Sequence, residues 1–196
     1  MTVIVLTGSI GMGKSATAKL FADEGARVWD ADAAVHRLYE KDGAAVHSIE
    51  AIAPEAIRDG AVDRAALSAA IAKDASLLKK IEAVVHPLVA ADREAALADG
   101  DPSTPIVLDI PLFFEGGGAA GADAVVVVTA PDEVRRARVL ERPGMSAEKL
   151  DFIISRQTPD TEKRRRADYI IWTHDGLEPS REAVRAILRD LALRAG

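Results

Sequence analysis

The sequence predicts an α/β protein, a parallel sheet flanked by helices and interrupted by a long helical insert. Three observations carry this. An apolar, β-branched run over residues 2–6 leads through glycines to a helical pattern over 14–24 and a second strand over 27–29, which is a βαβ unit. Between residues 32 and 99 the apolar positions recur only at helical spacing. Beyond residue 100, short apolar runs at 106–108, 124–129 and 169–172 alternate with further helical stripes.

Each element has a local reason. Gly8 stops the first run, and Ala18, Phe21 and Ala22 form the stripe of a helix that Gly25 ends. The second strand ends at Asp30. Asp32, Asp63 and Asp74 each stand where an N-cap belongs, before Val35, Leu38 and Tyr39, before Leu67 and Ile71, and before Leu77, Leu78, Ile81, Val84 and Val85. A carboxylate there accepts from the free backbone N–H groups of the first turn. Val46, Ile49 and Ile52 give another stripe, broken at Pro54, and Pro87 kinks or restarts the helix that runs to Ala98. No strand is expected in this insert. Residues 99–105 are a loop, the third strand ends at Asp109, and residues 116–118 are a glycine turn. Pro131 suits a first helical position, Ser146 caps a helix carrying Leu150, Ile153 and Ile154, and Pro179 and Ser180 open an amphipathic terminal helix.

Composition narrows the chemistry. The chain has 196 residues, enough for one compact domain with an insert, and no cysteine, which removes disulfides, thiol nucleophiles and cysteine-based metal sites. Its four histidines, at 36, 47, 86 and 174, show no metal-ligand spacing. The apolar runs are too short to span a bilayer. Residues 1–13 lack a basic start and a small-residue cleavage site, so no signal peptide is expected and the expected location is cytoplasmic. A net charge of −6 argues against nucleic acid or an anionic membrane as partner. The charge is uneven, since residues 135–166 hold 10 of the 25 basic residues. Alone, that run reads as a solvated helix face.

Gly8-Ser9-Ile10-Gly11-Met12-Gly13-Lys14-Ser15 matches G-x-x-x-x-G-K-[ST], after a strand and at the start of a helix. In this P-loop, backbone N–H groups turn inward around phosphate oxygens, Lys14 reaches the β- and γ-phosphates, and Ser15 offers its hydroxyl to Mg²⁺. The expected fold is therefore of the P-loop NTPase type. Asp30-Ala31-Asp32 ends the second strand, where ligands of such sheets bind, and a carboxylate there can orient a hydroxyl and take its proton. Asp32 can equally be a helix cap, or both. Asp109 suits a Mg²⁺ or water partner, or a turn. Phe113 and Phe114 read as core, and His86 as a structural histidine. With a P-loop present, the arginines of 135–166, split at Arg142-Pro143-Gly144, gain a second meaning as a lid that closes over the transferring phosphate.

In combination, LTGSIGMGKS (6–15), DAD (30–32), VVHPLV (84–89), VLDIPLFFE (107–115), ERPGMS (141–146) and EKRRRADYII (162–171) resemble the dephospho-coenzyme A kinase family. The resemblance implies transfer of the γ-phosphate of ATP, with Mg²⁺, to the ribose 3′-hydroxyl of dephospho-coenzyme A. It implies Asp32 as catalytic base, with Lys14 and Arg142 as catalytic cations. It places ATP on Gly8, Gly11, Met12, Gly13, Lys14, Ser15 and Ala16, and Mg²⁺ on Ser15. It places the acceptor on Thr7, Asp32, His36, His86, Asp109, Phe114 and Glu115. It implies a nucleotide-binding core (1–31, 100–134 and 167–196), a helical substrate-binding insert (32–99) and a lid (135–166). The chain departs from the family at Ser9, Met12 and Ala16 in the loop and at Thr173-His174, where an Asn is common. Two further readings share the P-loop: a kinase for a small alcohol such as shikimate or gluconate, and a nucleotide-dependent switch or ATP-driven binding protein. The large insert favours a bulky acceptor, and no N/T-K-x-D guanine signature is present.

Overall fold

The structure, a computed structural model, describes residues 1–118 and 121–195. The chain divides into two compact units, Met1–Trp29 with Asp101–Gly196, and Asp30–Gly100.

The first unit holds a five-stranded sheet of β1 (Val3–Thr7), β2 (Arg27–Asp30), β5 (Ile106–Asp109), β6 (Ala124–Thr129) and β7 (Tyr169–Trp172), in the order β2-β5-β1-β6-β7. β1 runs parallel to β5 and to β6, with Val3 opposite Ile106 and Ile4 opposite Ala124, and β6 runs parallel to β7. Strands covered on both faces read as continuous apolar runs, which is why they were visible in sequence. Ile4, Leu6, Val126, Val128 and Ile171 alternate onto one face. There they pack with Leu20 and Phe21 of α1 (Lys14–Asp23) and with Val184, Ile187 and Leu191 of α9 (Leu177–Ala195). Residues 135–166 belong to this unit and form most of α6 (Asp132–Leu140), α7 (Ala147–Ser155) and α8 (Asp160–Arg165). Ser146 caps α7 by accepting from the Lys149 N–H. α8 is an element the sequence reading did not separate. α9 opens at Leu177, before the expected Pro179, because Gly176 turns the chain at φ 104. Pro131 sits at the N-cap of α6 rather than inside it.

The second unit has its own core, with Leu38, Ile49, Val62, Leu67, Ile81 and Val85 buried together. It comprises α2 (Ala31–Tyr39), α3 (Val46–Ile52), α4 (Arg64–Lys73) and α5 (Ser76–Ala98). Three expectations change here. Asp30, not Asp32, caps α2, accepting from the Ala33 N–H at 3.0 Å, because the chain turns into the helix directly at the end of β2. Pro87 does not restart the helix, since α5 runs through it for 23 residues. The insert is not wholly helical, since β3 (Ile57–Arg58) and β4 (Ala61–Val62) pair antiparallel. Asp59 and Gly60 make that turn at φ 51 and 79, the backbone a two-residue hairpin demands. Asp63 caps α4 through the Ala65 and Ala66 N–H groups as expected, and Asp74 accepts from the Ser76 N–H at the start of α5.

Candidate active site

The loop between β1 and α1 is shaped from below. A Cβ on Gly8 would lie 2.8 Å from the Val128 carbonyl oxygen, so the strand can be approached this closely only by glycine. Gly13 is the N-cap of α1 at φ 93, a left-handed backbone that glycine adopts without strain. No side chain caps α1, and no acidic residue lies in its first turn. Its N–H groups and the positive end of its dipole are left for an anion. Lys14, at the start of α1, donates from Nζ to Asp109 Oδ1 at 2.5 Å, and the Asp109 side chain is only 3% exposed. Ser15 and Ala16 are exposed beside it.

Met12 is buried within the core, its N–H donating to the Ser9 carbonyl and its sulfur accepting from the Ala130 N–H. Its backbone carbonyl accepts from the Thr173 hydroxyl at 2.8 Å. Arg138 completes this backing by donating to the Thr173 hydroxyl at 2.9 Å and the Thr173 carbonyl at 2.7 Å. A cleft of about 310 Å³ lies alongside, lined by Gly13, Ala16, Arg138, Arg142, Thr173 and Leu177 among others. Arg142 is exposed, and among the described residues it forms no ion pair, whereas Arg135, Arg136 and Arg164 are paired with Asp132, Asp151 and Asp160. The basic run is thus only partly a solvated face.

Lys163, from the same run, is fully buried. Its Nζ lies 2.9 Å from Glu115 Oε1, which also accepts from the Thr158 N–H at 2.7 Å. Burial pushes the Glu115 carboxyl up, but Lys163 and the Thr158 N–H outweigh it and hold the group below the usual glutamate range. Nothing in the sequence distinguishes Lys163 from its arginine neighbours. Glu115→Gln should strand this buried cation and cost about 3–5 kcal/mol at neutral pH. Because the folded carboxyl is the more acidic one, its contribution is present above the unfolded pKa and fades as pH falls below about 4. Urea unfolding of both proteins at neutral and acid pH checks this, the gap being expected to shrink in acid.

The other expected acceptor residues of this unit have partners within it. Thr7 is fully buried and donates to the Pro111 carbonyl. Phe114 is buried edge-on to Phe113 and beneath the Arg166 guanidinium. In the second unit, Asp32 lies exposed in the first turn of α2, relieved of capping by Asp30. His36 is exposed on the same helix, 3.7 Å from Glu40. His86 is exposed on α5. No helix of the described residues is long and apolar enough to cross a membrane.

The family model for dephospho-CoA kinase matches residues 2–178. The chain belongs to the dephospho-CoA kinase family. Relatives bearing that name include one from Mesorhizobium japonicum, 54% identical over 198 residues and covering 100% of both chains. Another, from Jannaschia sp., is 57% identical over 187 residues and covers 95% of each. A solved Thermus thermophilus protein shares the fold at a TM-score of 0.83 and 36% identity, over 97% of each chain. This family of ATP-dependent kinases transfers the γ-phosphate of ATP to the ribose 3′-hydroxyl of dephospho-CoA, the last step of coenzyme A biosynthesis. Membership therefore decides among the readings that the P-loop alone left open, against a small-alcohol kinase and against a switch.

Proposed function

We propose that this dephospho-CoA kinase works through Lys14, Arg142 and Asp32, with magnesium as its cofactor. The observation that carries the reading is the uncapped N-terminus of α1 with the Lys14 ammonium beside it. The triphosphate of ATP lies along residues 8–16, with the base in the cleft next to Gly13 and Leu177. Lys14 exchanges its bond to Asp109 for the β- and γ-phosphates. The Asp32 carboxylate orients the ribose 3′-hydroxyl and accepts its proton. As the 3′-oxygen bonds to the γ-phosphorus, the bond from that phosphorus to the β,γ-bridging oxygen breaks and ADP departs. Thr7, Phe114 and Glu115 shape the acceptor site through their partners, while the exposed His36 and His86 are available to touch the acceptor.

Ser15 and Asp109 fit a magnesium ion. Among the described residues no cluster of three or more His, Cys, Asp or Glu forms a cage, and magnesium ordinarily takes one or two protein oxygens beside phosphates and water. Bound there, the ion would neutralise charge on the transferring phosphates. The acidic net charge disfavours electrostatic binding to nucleic acid or an anionic membrane, and a cytoplasmic location agrees with the family.

The test is to offer the protein magnesium-ATP with dephospho-CoA, shikimate, gluconate or no acceptor and to follow ADP. Release should require dephospho-CoA, and equal release without it would refute the reading. Arg142→Ala should lower kcat about 10²–10³-fold with little change in the KM for dephospho-CoA, since a lid arginine acts on charge in the transition state. Steady-state kinetics with an unchanged kcat would pass the role to another arginine.

A further inference from the structure

The tip of the phosphate loop is held from both sides of one peptide unit. On one side the Ser9 carbonyl accepts from the Met12 N–H at 3.2 Å, a bond within the loop. On the other the Ile10 N–H donates to Oε1 of Gln157 at 3.2 Å, across 147 residues of chain. Gln157 directly follows Arg156, the C-cap of α7, and the next residue, Thr158, is gripped by Glu115. Asp160, at the start of α8, accepts from the Thr129 hydroxyl at the end of β6. The end of the Arg-rich segment is thereby fastened to the core at successive points, and one fastening is the loop that receives phosphate.

We propose that Gln157 is a positioning residue for the phosphate loop. By fixing the Ser9–Ile10 peptide plane, it sets the direction in which the following N–H groups point before ATP arrives. It also ties that geometry to the segment carrying Arg142. A glutamine suits the place, because its amide oxygen accepts the bond without adding negative charge near a triphosphate. This rests on the phosphate-loop reading given above. Without the anchor, ATP must order the loop itself, a cost borne equally in the ground and transition states. The KM for ATP should therefore rise while kcat stays constant.

Gln157→Met keeps the length and packing of the side chain and removes the amide oxygen. The KM for ATP should rise about 3–10-fold, as expected for one neutral hydrogen bond, with kcat, the KM for dephospho-CoA and the Tm nearly unchanged. In the nucleotide-free protein, amide exchange at Ile10 should accelerate in Gln157→Met and stay slow in Gln157→Glu, which retains an acceptor oxygen. An unchanged KM for ATP, or an Ile10 amide as protected in Gln157→Met as in the wild type, overturns the proposal. So does a rise in both KM values accompanied by a fall in Tm, the mark of a merely structural role. A wild-type protein that binds no ATP would instead overturn the phosphate-loop reading.

Discussion

Replacing Lys14 by alanine is expected to reduce phosphoryl transfer by at least about 10³-fold, the scale on which removing one cation from a transferring phosphoryl group acts. The amine is placed for this by the start of α1, and Asp109 holds it ready at 2.5 Å. That same pairing creates a second effect. The pair is largely shielded from water, so Lys14→Ala should also destabilise the fold. The double variant Lys14→Ala/Asp109→Asn removes both charges, and it should recover stability without recovering turnover. Thermal unfolding followed alongside single-turnover rates separates the two effects. A folded Lys14→Ala protein with near-normal turnover would contradict the assignment of the loop.

Asp32→Asn is expected to lower kcat about 10²–10⁴-fold, the range that general-base assistance supplies. Affinity for ATP should stay nearly constant, because in the proposed mechanism the carboxylate serves the acceptor hydroxyl and not the triphosphate. The structure sharpens this experiment, since the α2 cap belongs to Asp30 and not to Asp32. Asp30→Ala should therefore cost about 1 kcal/mol of stability through the lost cap and leave the single-turnover rate close to that of the wild type. Asp32→Asn should do the reverse. If Asp30→Ala abolishes turnover while Asp32→Asn does not, the base has been assigned to the wrong carboxylate.

What the sequence made legible, and what it did not, follows from range. The sheet strands were visible because strands buried on both faces are continuous apolar runs. The P-loop was visible because its function depends on residues adjacent in sequence. The β3–β4 hairpin was missed because two-residue strands are too short to show alternation, although the Asp59-Gly60 pair was a usable turn signal. Caps were read to within a residue or two, and the error at Asp30 and Asp32 matters because the proposed base is one of the pair. The partners of Lys163, Arg138 and Gln157 lie at Glu115, Thr173 and Ile10. Contacts at such separations leave no periodicity, so a buried lysine looked like one more charge in a basic run.

The most direct measurement is to locate the new phosphate. After wild-type protein is incubated with magnesium-ATP and dephospho-CoA, ³¹P–¹H correlation of the product should show a single new monoester coupled to the ribose H3′, formed in step with ADP. A monoester at any other hydroxyl, or ADP formed with inorganic phosphate and no new ester, would contradict the account.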